Sequence, residues 1–288
     1  MLLQSLLRPV LTPIMRGIFD PAQSIAAAWS PLSLWPDGID SPGMWISPRD
    51  LTSQWQDYTG TTPVAVPGTV ADASNPVGLA LDIRAGATAL TDPGNHMLQS
   101  TSSARPLMSA YDGQTLGPGN TYSSTGYPIY QKYDGVDDGM ATAAFTAGTL
   151  INGMDCMIPV RRDSAAASMA GLISPQGWFG FAINAPGGVC FSGCGSPTVF
   201  VDNVQLSGGT SVDRATLDTA LTVGDAHILE FRDLDLSAWT QATFGDLSGV
   251  YLFNGARGDI MLYPSTDPTE DKDAARQWLA DYYGVTLA

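Results

Sequence analysis

The residues best suited to chemistry are three aspartates in one short turn, Asp134, Asp137 and Asp138. Carboxylate oxygens are the ligands that Ca²⁺ prefers, so this turn is a candidate metal site. Its spacing differs from that of an EF-hand loop, however, and a turn with solvated acids explains the pattern equally well. Calcium is therefore a candidate cofactor, a metal-free acidic turn is the alternative, and no other cofactor is predicted.

Hydrolysis of a sugar chain would need a different pattern, two carboxylates about 5.5 Å apart. The nearest approach is Glu-Phe-Arg-Asp-Leu-Asp at 230–235, yet Glu230 and Glu270 are the only glutamates in the chain. Glu270 falls in a capping box at a helix start, and strand alternation predicts that Glu230 faces outward into solvent. No catalytic residue is assigned, and we expect a protein that is not an enzyme.

Nucleophilic or zinc chemistry would have to come from three cysteines and two histidines. Cys190 and Cys194 flank a plausible hairpin tip and could face each other, but two small buried thiols are the preferred interpretation. His96 and His227 do not lie near the cysteines at a finger-like spacing. A Cys–His pair that includes Cys156 stays open, although His227 alternates with apolar residues and is predicted to be a packed strand residue.

Seven tryptophans could supply a platform on which a sugar ring stacks. Trp178 follows Pro-Gln-Gly and is the best exposed candidate for glycan binding, with core or turn packing as the alternative. Trp29 and Trp35 are placed to dock a linker on the main domain. The other four are predicted to lie in the core: Trp45, Trp55, Trp239 and Trp278.

The charge of the chain excludes one class of partner. The formal net charge is −15, and the 13 basic residues form no run, so the surface repels nucleic acid. A strongly acidic surface suits a densely arrayed protein that must stay soluble, or one that holds cations. No stretch of 18 apolar residues is present, so no membrane span is predicted. The apolar start lacks a basic n-region and is interpreted as part of the mature protein.

Short β-strands are the elements predicted to position these residues. Charged residues make up 14% of the chain, whereas Gly (31) and Pro (20) are abundant. In the strand predicted at 226–232, His227, Leu229 and Phe231 share one face. Turn signals recur throughout: Asp112-Gly113, Asp134-Gly135, Gly187-Gly188, Gly208-Gly209 and Asn254-Gly255. The prediction is an all-β fold, a two-sheet antiparallel jelly-roll sandwich.

Both ends of the chain depart from this pattern. Asp267-Pro268-Thr269-Glu270 reads as a capping box that starts a closing helix at 268–283, packed through Trp278 and Tyr282. Near the other end, residues 1–29 form an arm with a short helix from Asp20, followed by a linker at 30–43 and the sandwich at 44–288. The arm repeats two apolar residues in every four, and these are the candidate anchor: Leu2, Leu3, Leu6, Leu7, Val10, Leu11, Ile14, Met15, Ile18 and Phe19.

Four stretches of the chain carry a family resemblance. They are Met44–Val64, with its Trp-Ile-Ser-Pro-Arg-Asp-Leu run; Asn95-His96 followed by Ala104-Arg105-Pro106; Tyr133–Asp138; and Gly258–Tyr263 with Trp278–Val285. In this order they resemble concanavalin A-like (LamG-like) domains of phage tail and virion proteins, over roughly residues 43–288. The resemblance implies a jelly-roll sandwich and a place on a virion, and it implies no catalytic motif.

The function predicted from the sequence is that of a structural bacteriophage virion protein, assembled in the host cytoplasm. A tail or tail-fibre component with host-surface glycans as candidate ligands is the first hypothesis. A capsid decoration or head-fibre protein without a ligand is the second, and a polysaccharide depolymerase is disfavoured by the shortage of carboxylate pairs. Expected partners are other virion proteins, reached through the arm, and further copies of the same chain.

Overall fold

The computed structural model describes residues 29–64, 71–110, 128–145, 149–163, 170–174, 180–183, 191–192, 194–206, 212, 214–247 and 251–288. The candidate anchor residues of the arm, Trp178 and Cys190 lie outside these described residues. Within the described part, no helix is long and apolar enough to cross a membrane.

The described chain is built mainly of short strands, with two α-helices and a few 3-10 turns. The strands are β1 Met44–Ile46, β2 Gln54–Trp55, β3 Ala71–Pro76, β4 Leu79–Ala80, β5 Met97–Leu98, β6 Leu107–Ala110, β7 Ile129–Asp134, β8 Met140–Thr142, β9 Asn152–Arg162, β10 Ala170–Ser174, β11 Gly180–Ile183, β12 Phe191–Ser192, β13 Gly195–Val201, β14 Val204–Gln205, β15 Ala226–Asp235, β16 Thr243–Phe244, β17 Asp246–Leu247, β18 Tyr251–Leu252, β19 Asn254–Arg257 and β20 Ile260–Pro264. The helices are α1 Arg214–Ala220 and α2 Thr269–Tyr283. The 3-10 turns are Pro31–Leu34, Gly38–Asp40, Leu51–Ser53, Ile83–Ala85 and Ser102–Ala104.

The strands form two main antiparallel sheets. The first sheet has ten strands in the order β14-β13-β15-β9-β19-β7-β6-β3, with β20 also paired to β9 and β1 paired to β20. The second sheet has eight strands in the order β12-β11-β10-β16-β8-β5-β4-β2, and β17-β18 is a separate ribbon. The prediction of a mostly-β, antiparallel fold with two sheets and few helices is confirmed.

The main core lies between the two sheets. Cys156 and Phe231 reach it from the first sheet, and Met97 and Phe244 reach it from the second; all are at most 1% exposed. Since successive side chains of a strand point to opposite faces, each sheet also has an outer face. In β20, Ile260 and Leu262 join this core, while Met261 and Tyr263 belong to a second cluster.

Helix α2 covers the outer face of the first sheet and completes that second cluster. Ala275, Leu279 and Tyr283 are buried there. Trp278 and Tyr282 also pack against this cluster, as predicted, but both are only partly buried, so Trp278 lies at the margin rather than in the core. The helix ends at Gly284, whose φ of 70° is the left-handed conformation that closes helices at glycine. Its start differs from the prediction: the N-cap residue is Pro268, and no side chain caps the helix. Asp267 Oδ2 is buried without a hydrogen-bond partner.

Glu230 lies under α2, which corrects the prediction that it faces solvent. Its side chain is 1% exposed, and its two carboxylate oxygens accept hydrogen bonds from Arg276 Nε (2.8 Å) and Nη2 (3.1 Å). Asp155, also nearly buried, pairs with Lys272 Nζ at 2.8 Å. The outer face of this sheet is covered by a helix rather than by solvent. A charged side chain that points outward from the strand is therefore buried and needs a partner of opposite charge.

The segment predicted as a linker, residues 30–43, is packed on the first sheet. Trp35 stacks on Trp45 with ring centroids 5.9 Å apart, and Trp35 Nε1 donates to the Leu262 carbonyl at 3.0 Å. Trp29 meets the edge of Trp278 and donates its Nε1 hydrogen to Asp271 Oδ1 at 2.9 Å. The docking role expected of Trp29 and Trp35 is therefore seen.

Gly258 and Asp259 join the start and the end of the sandwich. A Cβ on Gly258 would lie 2.4 Å from the Tyr283 ring, so only glycine lets α2 approach so closely. Fully buried Asp259 accepts hydrogen bonds from Trp45 Nε1 at 2.9 Å and from the Tyr283 hydroxyl at 2.7 Å. One carboxylate thereby ties β1 to the closing helix.

Candidate functional site

A groove of about 440 Å³ lies on the second sheet, away from α2. Its volume falls in the range of roughly 300–1,000 Å³ that is usual for small-ligand clefts. Tyr58, which is 45% exposed, forms part of its wall. The polar residues of its lining are Gln99, Ser100, Asp137, Thr142, Gln241 and Thr243.

Strand pairing builds the floor of the groove. Leu98 of β5 pairs with Ala141 of β8, and Ala141 pairs with Thr243 of β16, so the three side chains lie in one row. Their chain neighbours Met97 and Phe244 point the other way, into the core. Period-two alternation across three strands therefore yields a flat floor of small or half-buried residues.

The wall that carries Tyr58 is fixed by Asp57. The carboxylate of Asp57 accepts backbone hydrogen bonds from Thr59 at 3.0 Å, Thr61 at 3.1 Å and Thr62 at 2.6 Å, and hydroxyl bonds from two of these threonines. Partial burial of Asp57 opposes ionisation, but these hydrogen bonds hold its pKa well below the usual range. The loop behind Tyr58 is therefore ordered before any ligand arrives.

Arg105 holds two walls of the groove together. Its Nε donates to the Gln99 carbonyl at 3.0 Å, Nη2 to the Ser100 carbonyl at 3.1 Å, and Nη1 to the Gln56 carbonyl at 3.1 Å. Gln56 precedes the Asp57 loop, whereas Gln99 and Ser100 follow β5. A planar guanidinium with several donors can bridge separate strands of backbone in this way, and a lysine could not reproduce the geometry.

The amide side chains of the groove are also held in place. Gln99 Nε2 donates to the Gly139 carbonyl at 2.6 Å, and Gln99 Oε1 accepts from Thr101 N at 3.0 Å. Gln241 Nε2 donates to the Thr142 carbonyl. Because these amide side chains are already held in one conformation, they lose little conformational entropy when a ligand binds.

The predicted acidic turn borders this groove. The carboxylates of Asp134, Asp137 and Asp138 lie within 4.8 Å of one another, close enough to share a cation. Asp134 Oδ1 accepts from Val136 N at 2.7 Å, and Asp138 Oδ2 accepts from Asp134 N at 2.8 Å, so hydrogen bonds within the turn also support the group. Calcium binding therefore stays a prediction.

The three acids do not have equal environments. Asp134 and Asp137 are exposed, while Asp138 is buried. Burial, helped by the neighbouring Asp134 and Asp137, raises the pKa of Asp138 to about 7, against the opposing effects of the hydrogen bond from Asp134 N and the charge of Lys132. At neutral pH the turn therefore holds one carboxyl, that of Asp138, that readily carries a proton.

The cysteines and histidines lie elsewhere. Cys156 and Cys194 are buried thiols, and burial raises the pKa of both above the usual range, which leaves them poor nucleophiles. His96 Nδ1 accepts from Asp82 N at 3.0 Å, so its Nε2 donates to the Asp92 carbonyl at 2.8 Å. His227 is half-buried, with Nδ1 at 2.6 Å from Asp202 Oδ2. No Cys–His pair is found among the described residues.

Sequence reasoning found the acidic turn but missed Tyr58, Gln99 and Gln241. These residues come from three distant segments, and only the sheet brings them together. The sequence did contain a local signal for the Tyr58 loop. In Asp57-Tyr58-Thr59-Gly60-Thr61-Thr62, an aspartate is followed by hydroxyl residues and glycine, which is typical of a turn stabilised by the aspartate side chain. Arg105 and the acidic turn both belong to stretches that carry the family resemblance.

Comparisons with known proteins place the chain in no family. No family model matches it, and no curated protein matches it. A solved structure of Trypanosoma rangeli sialidase in complex with the inhibitor DANA is similar to it at 11% sequence identity and a TM-score of 0.36. That similarity covers 83% of this chain, which spans 37% of the sialidase chain. A likeness this weak assigns neither a fold family nor an activity to this chain.

Proposed function

We propose that this protein is a non-catalytic, glycan-binding component of a bacteriophage virion, built on a jelly-roll sandwich of the concanavalin A-like kind. We place the protein in the tail or tail fibre, where the groove would bind glycans of the host surface. The sequence resemblance supports the virion assignment, and the groove on the second sheet supports the binding role. A capsid decoration protein without a ligand would leave that groove without a use.

The lining of the groove is the observation that carries the binding role. An exposed tyrosine, two fixed amides, hydroxyl groups and one carboxylate surround the floor formed by Leu98, Ala141 and Thr243. An aromatic ring packs against the C–H face of a sugar, while amide and carboxylate groups accept or donate hydrogen bonds to its hydroxyls. Such a shallow polar groove suits a saccharide better than an apolar small molecule.

The position of Glu230 supports binding over hydrolysis. Glu230 was the strongest carboxylate of the sequence for glycosidase chemistry, but it is buried under α2, where Arg276 and Arg232 occupy its oxygens. It therefore cannot reach a substrate. Among the described residues that line the groove, Asp137 is the one carboxylate.

One observation favours hydrolysis as a second candidate function. Asp137 borders the groove, and Asp138 beside it has a pKa raised to about 7, as a general acid requires. Release of reducing ends from a polysaccharide by the wild-type protein, lost in both Asp137→Asn and Asp138→Asn, would establish a depolymerase and overturn the non-catalytic proposal.

The placement of the arm fits display of the groove on a particle. Trp29, the first described residue, packs on α2 at the outer face of the first sheet. The groove lies on the second sheet, across the core. If the arm is the virion anchor, the groove faces away from the attachment point.

Glycan binding is tested with a multimerised form of the protein on a glycan array. We expect weak single-site affinity, raised by roughly 10²–10⁴ when many copies act together. Tyr58→Ala should abolish the signal without lowering the melting temperature. Leu32→Ala is the matched control, because Leu32 is 43% exposed, near the 45% of Tyr58, but lies beside α2. A blank array for the multimerised wild type would reject glycan binding and favour pure decoration.

A further inference from the structure

We propose that the groove selects uncharged saccharides and rejects acidic ones. This inference rests on the glycan-binding role proposed above and concerns the chemical class of the ligand. Three features of the described residues support it: the charge of the lining, the direction of its hydrogen-bond donors, and the field of the adjoining turn.

The lining holds no cation among the described residues. Its one charged side chain is that of Asp137, which is exposed. Sites that recognise carboxylate, sulfate or phosphate groups use arginine or lysine to compensate the buried negative charge. An acidic sugar in this groove would meet a carboxylate with no cation of the lining to offset it.

Most hydrogen-bond donors in and around the groove already donate to carbonyl groups of the protein. Gln99 and Gln241 each spend an amide hydrogen on a backbone carbonyl. Arg105, the cation that contacts the walls, directs all three of its nitrogen atoms at wall carbonyls. Asp137 remains as a strong acceptor, which a sugar hydroxyl satisfies but which the ionised carboxylate or sulfate group of an acidic sugar cannot.

The adjoining turn adds to the repulsion. Asp134, which is exposed, places its carboxylate within 4.8 Å of that of Asp137. The whole chain carries a formal net charge of −15, which slows the approach of any anion. Selectivity of this kind comes from electrostatic repulsion of acidic saccharides as much as from favourable contacts with neutral ones.

The test uses pairs of oligosaccharides with the same core, one neutral and one bearing a single sialic acid, uronic acid or sulfate. We expect the acidic member to bind about fivefold more weakly at low ionic strength, the effect of one like charge near the surface. The difference should shrink in high salt, which screens exposed charges. Tyr58→Ala should remove binding of the neutral member.

Asp137→Lys is the decisive variant, because it should narrow or reverse the preference. Asp281→Lys is its matched control: it changes the net charge equally, but Asp281 is exposed on α2, across the core from the groove. Wild-type protein that binds acidic members as tightly as neutral ones, through Tyr58, would overturn this inference and leave glycan binding intact. Wild-type protein that binds no saccharide would overturn glycan binding itself, and this inference with it.

Discussion

Among single residues, Asp267 offers a direct test of burial without compensation. Its Oδ2 is buried without a partner, and burial raises the pKa of Asp267 to about 6 despite the nearby charge of Lys272. Because the folded form holds its proton more tightly than the unfolded form, the free energy of unfolding falls as pH rises from about 4 to about 6, and the penalty persists above that.

Asp267→Asn removes this penalty. We expect the variant to be more stable than wild type at pH 8, by on the order of 1 kcal/mol after allowance for solvent exposure. The advantage should shrink as pH falls from about 6 to about 4, where the wild-type carboxyl becomes neutral in both states. Urea unfolding at several pH values measures it. A constant difference across that range would show that the charge of Asp267 is not the cause.

Asp267 also shows where residue-level sequence reasoning fails. The tetrapeptide Asp-Pro-Thr-Glu matches a capping box, and the pattern correctly placed the helix start within one residue. It did not reveal that Pro268 is the N-cap residue and that the Asp267 side chain makes no capping hydrogen bond. The prediction for Glu230 was wrong for a similar reason: alternation gave the correct face of the strand, but it could not show that α2, which begins 39 residues later at Thr269, covers that face.

At the scale of elements, the junction between α2 and the first sheet depends on buried ion pairs. Glu230→Ala would leave the buried guanidinium of Arg276 without its main partner, a change that typically costs about 3–5 kcal/mol. We expect that loss in chemical denaturation. The double variant Glu230→Met/Arg276→Leu should recover much of it, since apolar residues of similar size need no partner. Near wild-type stability for Glu230→Ala would show that the pair is not required.

Arg105 provides the corresponding test for the groove walls. Arg105→Ala removes three hydrogen bonds that join the Gln56 segment to the Gln99 segment, so both walls should exchange amide hydrogens faster. Glycan affinity should fall about tenfold or more, because the site would have to be ordered on binding. Arg49→Ala, which removes the same charge on the α2 side, should leave affinity unchanged. Full glycan affinity in Arg105→Ala would mean that Tyr58 is positioned without the hydrogen bonds of Arg105.

Elements with strong local patterns were predictable, and those defined by distant partners were not. The closing helix was predicted at 268–283 and observed at Thr269–Tyr283; the strand predicted at 226–232 is part of β15. Asn254-Gly255, a typical turn signal, instead lies in β19 between β7 and β9. Gly255 fits there because a Cβ would lie 2.2 Å from the Arg161 carbonyl, a constraint that only the neighbouring strand imposes.

At the scale of the whole molecule, a deletion tests the prediction that the arm is an anchor separate from the sandwich. The described fold begins at Trp29, and the candidate anchor carries ten apolar residues, each worth roughly 1.5–3 kcal/mol if fully buried against a partner. Deleting residues 2–19 should therefore leave a soluble, cooperatively unfolding sandwich that no longer joins the particle. A truncated protein that unfolds, or that still appears in purified virions, would show that the arm is not the anchor.

The pairing of β1 with β20 joins two distant parts of the chain, which has a consequence for folding during synthesis. Met44 pairs with Leu262, and the buried bond from Trp45 to Asp259 joins residues 214 positions apart. Loop closure over such distances is entropically costly, so all-β proteins dominated by distant pairings fold in roughly milliseconds to seconds. Strand β1 leaves the ribosome long before β20, and until the two pair the apolar residues of β1 are exposed to other nascent chains. Chains that end before Asp259 should therefore aggregate, whereas the full-length chain, in which β20 and α2 can pair and pack, should not.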